Sequence, residues 1–266
     1  MLYVGPAGYP PGSKGAVQAV ERVKALGLNA LEVQFGRSVN LSIERATELG
    51  QRARELGVVL SAHAPYYINF NSSEDNRAKS RDWLLSSLRA AHAFGGRIVV
   101  VHAASYMGRS ADQTTRAVVD GLRSVRKVAE DEGLSALIGL ETMGKTGSWG
   151  TLEEIRSVMA EVEGVEPVVD FAHIHARGRG CLRTADDFMA VLNDLTAAHP
   201  GRLHCHFSCI EYTDKGEKRH LVLERKDPDF AHLAALLPRL GRDVTVISET
   251  PEPTADAVRM LEMLTG

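Results

Sequence analysis

Short runs rich in β-branched residues alternate with amphipathic stretches of helical length, and the alternation repeats eight times along the chain. The pattern predicts strands over 2–5, 29–34, 58–63, 97–102, 136–141, 165–171, 202–208 and 243–249. Helices are predicted over 14–26, 42–56, 74–94, 111–132, 151–162, 184–199, 229–240 and 253–264. Helix ends carry their own signals: Ser42 opens one helix, Thr151 and Glu154 form a capping box, and Gly27, Gly57 and Gly133 lie just past C-termini. Eight consecutive units in 266 residues, with no linker or break in composition, fit one α/β domain over 1–266 closed as a (β/α)8 TIM barrel. A doubly wound sheet requires no particular count of units.

Composition narrows the function classes. A net charge of -3 with 24% charged residues argues against a generally basic, nucleic-acid-coating surface, so any contact with a polyanion must be local. Three cysteines, Cys181, Cys205 and Cys209, are too few and too clustered for a disulfide framework. Met1-Leu-Tyr-Val-Gly-Pro lacks the basic start and long apolar run of a secretory signal, and no apolar run approaches the length of a membrane span. The expectation is a soluble, cytoplasmic protein with no membrane association.

In a barrel of this type the chemistry collects where the strands end. Six successive predicted strands, the third to the eighth, end in His63, His102, Glu141, Asp170, His206 and Glu249, each after apolar or small residues. Imidazoles and carboxylates converging on one barrel mouth would cost several kcal/mol in repulsion and desolvation unless a cation joined them. Three His with three carboxylates suit zinc, manganese or iron, and the lack of thiolate argues against a closed structural zinc site. Six donors exceed the needs of one tetrahedral ion, so two ions are expected, with Glu141 placed centrally as the bridge. His173, three residues after Asp170, and His220, in the loop after the seventh strand, could cap the same mouth.

The stretch Arg202-Leu-His-Cys-His-Phe-Ser-Cys-Ile-Glu-Tyr212 looks like a self-contained zinc site, but its placement as a strand argues otherwise. Cys205 alternates to the face opposite His204 and His206. His206 lies nearer the strand's C-terminal end and is expected to join the ligands, with His204 hydrogen-bonded in the layer below.

These residues resemble those of the endonuclease IV family of metal-dependent apurinic/apyrimidinic endonucleases, within the xylose isomerase-like barrels. The most specific piece is His63-Ala-Pro-Tyr66-Tyr-Ile-Asn69, similar to the family's His-x-x-Tyr-x-x-Asn. Val-His102, Leu-Glu141, Asp170-Phe-Ala-His173, His206-Phe-Ser, Arg219-His220 and Ser-Glu249-Thr-Pro follow in the family's order. The resemblance implies two or three Zn2+ ions, with Mn2+ or Fe2+ as substitutes in some sites. His63, His102 and Glu141 would hold one ion, Glu141, Asp170, His206 and Glu249 a second, and His173 and His220 a third. It further implies Glu141 and Glu249 as catalytic carboxylates, and hydrolysis of the phosphodiester 5′ to an abasic site in double-stranded DNA. Tyr66, Arg37 and Asn69 would contact the DNA.

Several positions depart from the family. Lys218 stands where the third site has an Asp, leaving Glu217 or Asp214 as substitutes. His102-Ala-Ala, Glu141-Thr-Met and Ser208-Cys209 replace the family's His-Pro-Gly, Glu-Asn-Thr and Asn-Asp. Lys14, Arg109, Lys145, Arg177, Arg179, Lys215, Lys218 and Arg219 fall in the predicted strand-to-helix loops and favour a polyanionic substrate. The rival reading is a sugar isomerase or epimerase, because Glu141, Asp170, His206 and Glu249 alone resemble the single metal site of that branch.

Overall fold

In a computed structural model that describes residues 1–199 and 201–266, eight parallel strands form one sheet. They are β1 (Leu2–Pro6), β2 (Ala30–Gln34), β3 (Val59–His63), β4 (Ile98–Val101), β5 (Leu137–Glu141), β6 (Val165–Asp170), β7 (Leu203–Phe207) and β8 (Val244–Ser248). Their order, β1-β8-β7-β6-β5-β4-β3-β2, is the sequential ring of a TIM barrel. The ring closes where β1 meets β2: the Gly8 N–H donates to the Glu32 carbonyl at 2.9 Å and the Asn29 N–H to the Val4 carbonyl at 3.1 Å.

The outer layer holds helices α1 (Ala16–Ala25), α2 (Ile43–Leu56), α3 (Glu74–Phe94), α4 (Ala111–Asp131), α5 (Leu152–Met159), α6 (Phe171–Arg177), α7 (Ala185–Ala198), α8 (Phe230–Leu236) and α9 (Pro253–Thr265). Helix α4 shows why they form. Ser110 and Gln113 close a capping box at its start, and Val118, Leu122, Val125 and Ala129 recur at helical spacing along its buried face. Thr151 with Glu154 and Thr184 with Asp187 cap α5 and α7 in the same way. No helix among the described residues is long and apolar enough to cross a membrane.

The predicted boundaries hold to a few residues, with informative exceptions. His102 and Glu249 lie one residue beyond β4 and β8, where the chain turns over the barrel mouth. The predicted helix 229–240 ends at Leu236 and continues as a 3-10 turn over Leu237–Leu240. Among the features without a counterpart in the predicted repeat, two bear on the site. Helix α6 follows β6 without a break, and the loop after β7 is an antiparallel hairpin pairing Cys209–Thr213 with Gly216–Leu221.

Alternation along each strand divides the molecule into two cores. Side chains such as Val33, Ala62, Val99, Leu140, Val169, Cys205 and Val246 face the helices and join the main apolar cluster. The inward set holds only a small apolar cluster, Ile98, Val100 and Val168 with Leu137 packed against it. Every second residue from Ile98 leads to His102, and every second residue from Val168 leads to Asp170. The strand period therefore delivers the polar side chains to the mouth.

Closure leaves no room on β1: a Cβ built on Gly5 would lie 1.8 Å from the Ala30 carbonyl oxygen. Gly5→Ala is expected to open this seam and cost about 3 kcal/mol, a fall of roughly 6–12 °C in the thermal midpoint. A wild-type midpoint in a melting curve would contradict the closure described here.

Candidate metal centre

Glu141 is the hub of the mouth. It ends β5, is 1% exposed, and splits its two oxygens between two groups of imidazoles. Oε2 lies 2.7 Å from His102 Nε2 and 3.2 Å from His63 Nε2. Oε1 lies 3.1 Å from His206 Nδ1 and 3.5 Å from His173 Nδ1. Glu249 Oε1 approaches His206 Nδ1 at 3.4 Å. At the mouth the chain thus assembles three overlapping donor groups in which ligand atoms lie within 4.8 Å of one another, His63/His102/Glu141, Glu141/Asp170/His206/Glu249 and Asp170/His173/His220, with a fourth such group, Glu32/His204/His206, one layer below. All eight residues read from the sequence as ligands meet at the mouth.

Backbone carbonyls set the orientation of several rings. His63 Nδ1 lies 2.8 Å from the Ala64 carbonyl, His173 Nδ1 2.8 Å from that of Thr142, and His220 Nδ1 2.8 Å from that of Glu249. Donation from Nδ1 to these carbonyls leaves each Nε2 as a lone pair aimed into the mouth. His173 Nε2 and His220 Nε2 then face each other at 3.2 Å, an arrangement that either a shared proton or a metal ion held by both satisfies. Asp170 gives a second test of fit. Its Oδ1 accepts the His173 N–H at 2.8 Å and caps α6, while its buried Oδ2 has no hydrogen-bond partner among the described residues. An orphaned carboxylate oxygen beside imidazoles that can give up their protons to a metal is a donor set that fits a divalent ion.

Electrostatics agree. Burial alone would push Glu141 up, but His102 and His206 hold it well below the usual carboxylate range. Burial opposes charging of His206 too, yet Glu32, Glu249 and Glu141 raise it well above an ordinary histidine. His173, desolvated but facing Asp170, Glu141 and Glu217, is raised to about 9. Without a metal, protons take the place of the cation.

The third group is completed by Glu217. Its Oε2 lies 3.5 Å from His173 Nε2 and its Oε1 4.0 Å from His220 Nε2. A bulge makes this possible: Tyr212 pairs with Glu217 while Glu211 pairs with Arg219, so Lys218 is the extra residue. Three residues apart on a regular strand, Glu217 and His220 would face opposite ways; the bulge puts both on one face. Lys218 instead turns out to Glu211 at 2.5 Å, and Asp214 is exposed beside Arg179 at 3.8 Å. Gly144 permits the approach, since a Cβ there would come within 2.7 Å of Glu217 Cβ and 3.0 Å of His173 Cδ2.

A cavity of about 580 Å³ opens above the hub, lined in part by Gln34, Tyr66, Lys145, Glu217, His220 and Glu249. Tyr66, 53% exposed, sets its ring 5.1 Å from that of His63 and 5.8 Å from that of His102. Burial and the carboxylates raise its hydroxyl to about 12, so it stays a donor, to Gln34 Oε1 at 2.8 Å. Arg37 is exposed in the loop after β2, and the Tyr66 N–H is tied to that loop through the Gly36 carbonyl. Asn69 is half-buried and engaged within the chain: its Oδ1 accepts from the Asn71 and Ser105 amides and its Nδ2 approaches the exposed Met107 Sδ.

The loop cations are less free than their number suggests. Arg177 reaches the carbonyls of Lys145 and Ser148, Arg109 reaches Asn71, and Lys218 and Arg219 both pair with Glu211. Sequence reasoning missed Glu32, which lies fully buried below His206 with His204 3.1 Å away. The available signal was a lone carboxylate inside the otherwise apolar start of a strand, Ala-Leu-Glu-Val.

Fold and centre together define a (β/α)8 barrel with a metal-type cluster of imidazoles and carboxylates at the C-terminal mouth. The family model described as xylose isomerase-like TIM barrel matches residues 20–265, and the chain belongs to that family. It is 29% identical to an uncharacterized protein, MJ0133, of Methanocaldococcus jannaschii, covering 98% of this chain and 96% of that one. It is 27% identical to a probable endonuclease 4 of a Geobacillus species, over 73% of this chain and 67% of that protein. Among solved structures, endonuclease IV from Thermus thermophilus superposes with a TM-score of 0.74 at 23% identity, covering 98% of this chain and 96% of that one. A D-tagatose 3-epimerase-like protein superposes with 0.75 at 20% identity, covering 97% and 95%. These two likenesses establish the shared fold.

The raised histidines fix the pH response of the metal-free protein. A base whose folded pKa exceeds its unfolded value stabilises below the unfolded value, and the contribution is lost as pH rises through the folded value. For His173 that window runs from 6.5 to about 9. The metal-free thermal midpoint is expected to fall across it, while the increment from added zinc grows as protons cease to compete. Melting curves with chelator and with zinc check both slopes, and a zinc increment that shrinks with rising pH would contradict coordination by these rings.

Proposed function

We propose that this protein is a metal-dependent endonuclease that hydrolyses the phosphodiester 5′ to abasic sites in double-stranded DNA, with two or three zinc ions in the mouth. One observation carries the reading. The donor groups continue on both sides of Glu141, with His63 and His102 on one flank and His173, His220 and Glu217 on the other. The single-metal site of a sugar epimerase calls only for the central four, Glu141, Asp170, His206 and Glu249. The names of the endonuclease 4 relatives support the same reading.

Ions held by these donors supply Lewis acidity, which eases ionisation of a water and offsets charge on the phosphate. The chain's residues do the rest. Glu141 holds the two central donor groups in register through its two oxygens. Glu249, at the cavity wall, accepts a proton from a water lined up on phosphorus. Tyr66, protonated and exposed over His63 and His102, fills the gap left by a missing base. Arg37, exposed on the adjoining loop, and Lys145, on the cavity wall, pair with the phosphates on either side. Asn69 ties the loop that carries Tyr66 to the loop around Ser105 and Met107.

The test is to count ions in purified protein and incubate it with a duplex bearing one abasic site. Two or three ions and incision on the 5′ side are expected, and Glu249→Gln should cut at least about a hundredfold more slowly. Fully metallated protein that leaves the strand intact would overturn the proposal. One ion with interconversion of ketose epimers would establish the epimerase reading, which the central four donors also fit.

Gly144→Ala tests the third group separately. It is expected to remove the ion at His173, His220 and Glu217 and leave the other two, as measured by metal content after dialysis. A full complement would show that Glu217 is not needed there.

A further inference from the structure

We propose that Glu32 is the positioning residue of the central ion site: it holds the His206 ring by Nε2 so that Nδ1 faces the carboxylates. The inference rests on the reading of the mouth as a metal centre. The residue ends no strand and touches none of the mouth carboxylates; it acts from beneath.

Glu32 is 0% exposed and sits one layer down from the hub, on β2. Its carboxylate gathers four donors. Ser61 Oγ donates at 2.9 Å, Gln34 Nε2 at 3.1 Å, His204 Nε2 lies at 3.1 Å, and His206 Nε2 lies 3.1 Å from Oε1 and 3.3 Å from Oε2. The carboxylate is therefore satisfied as a hydrogen-bonded anion without a cation of its own. A separate ion at Glu32, His204 and His206 would have to displace these protons. It would also force one imidazole to bind through both nitrogens. The geometry favours an anchor over another metal site.

The anchor has work only on His206. Among the described residues, that ring is the imidazole of the mouth held within 3.1 Å of a carboxylate through each nitrogen, Nδ1 by Glu141 and Nε2 by Glu32, whereas Nδ1 of His63, His173 and His220 is held at 2.8 Å by a backbone carbonyl. Nε2–H donation to a carboxylate fixes the tautomer and orientation of a metal-ligating ring and strengthens its other nitrogen as a donor. The hold is also continuous with the substrate mouth. Gln34, which donates to Glu32, accepts the Tyr66 hydroxyl at 2.8 Å, so one chain of hydrogen bonds joins the exposed tyrosine to the buried anchor.

The experiment is metal competition against a chelator, with Co2+ and Zn2+ as probes, on the full-length wild type and on Glu32→Gln. Unfolding of each metal-free protein is measured in parallel. The central ion of the variant is expected to bind about 10- to 100-fold more weakly, with an altered visible spectrum of bound Co2+, while the ion at His173 and His220 keeps its affinity. Unchanged affinity and spectrum in a folded variant would overturn the proposal. So would an equal loss at the His173–His220 ion, which would mark a general loosening. If Glu32→Gln does not fold, Glu32→Asp keeps the charge with a shorter reach; selective weakening of the central ion supports the anchor, and wild-type affinity overturns it. Wild-type protein that binds its ions but leaves abasic DNA uncut would remove the endonuclease reading and leave this result standing.

Discussion

A buried carboxylate shared among imidazoles from four different segments is the constraint on which the mouth depends. Glu141 cannot stay ionised in the interior without compensation, because isolated burial of such a charge costs several kcal/mol. His63, His102, His206 and His173 surround it, and each is placed by a different strand end or by the helix that follows. Removing the shared oxygen pair would leave two donor groups without a common member. The rest of the site is arranged around that division of labour between Oε1 and Oε2.

The barrel achieves this with ordinary strand geometry. Alternation sends one set of residues to the helices and the other to the interior, and the interior set becomes polar toward the C-terminal ends. Below the ligands lies a second polar layer, in which Glu32 on β2 meets Ser61 on the neighbouring β3 and His204 from β7 across the barrel. The interior is thus stabilised only in part by apolar packing around Ile98, Val100 and Val168. Hydrogen bonding of the carboxylates makes up the remainder and gives the layer its fixed orientation.

Much of this was legible beforehand. Eight repeats set the barrel, and polar residues after apolar runs marked His63, His102, Glu141, Asp170, His206 and Glu249 without reference to any structure. The placement of His204 below His206 followed from alternation alone. What escaped, or in the case of Glu217 stood only as one of two alternatives with Asp214, depended on conformation that no local pattern encodes. Glu217 reaches His173 only because a bulge at Lys218 shifts the hairpin register and Gly144 yields space. Glu32 lies within a strand, where a carboxylate carries no terminal signal, and its two imidazole partners, His204 and His206, are more than a hundred residues away on β7. The loop cations were overcounted for a similar reason: side-chain pairing such as that of Arg219 with Glu211 is invisible in a composition.

The central claim, that Glu141 joins two ions, is tested most directly by anomalous diffraction at the zinc edge from crystals grown with zinc. The account predicts two peaks about 3.5–4 Å apart beside Glu141, in addition to any peak at His173 and His220. A single peak, or ions that leave Glu141 uncoordinated, would contradict it.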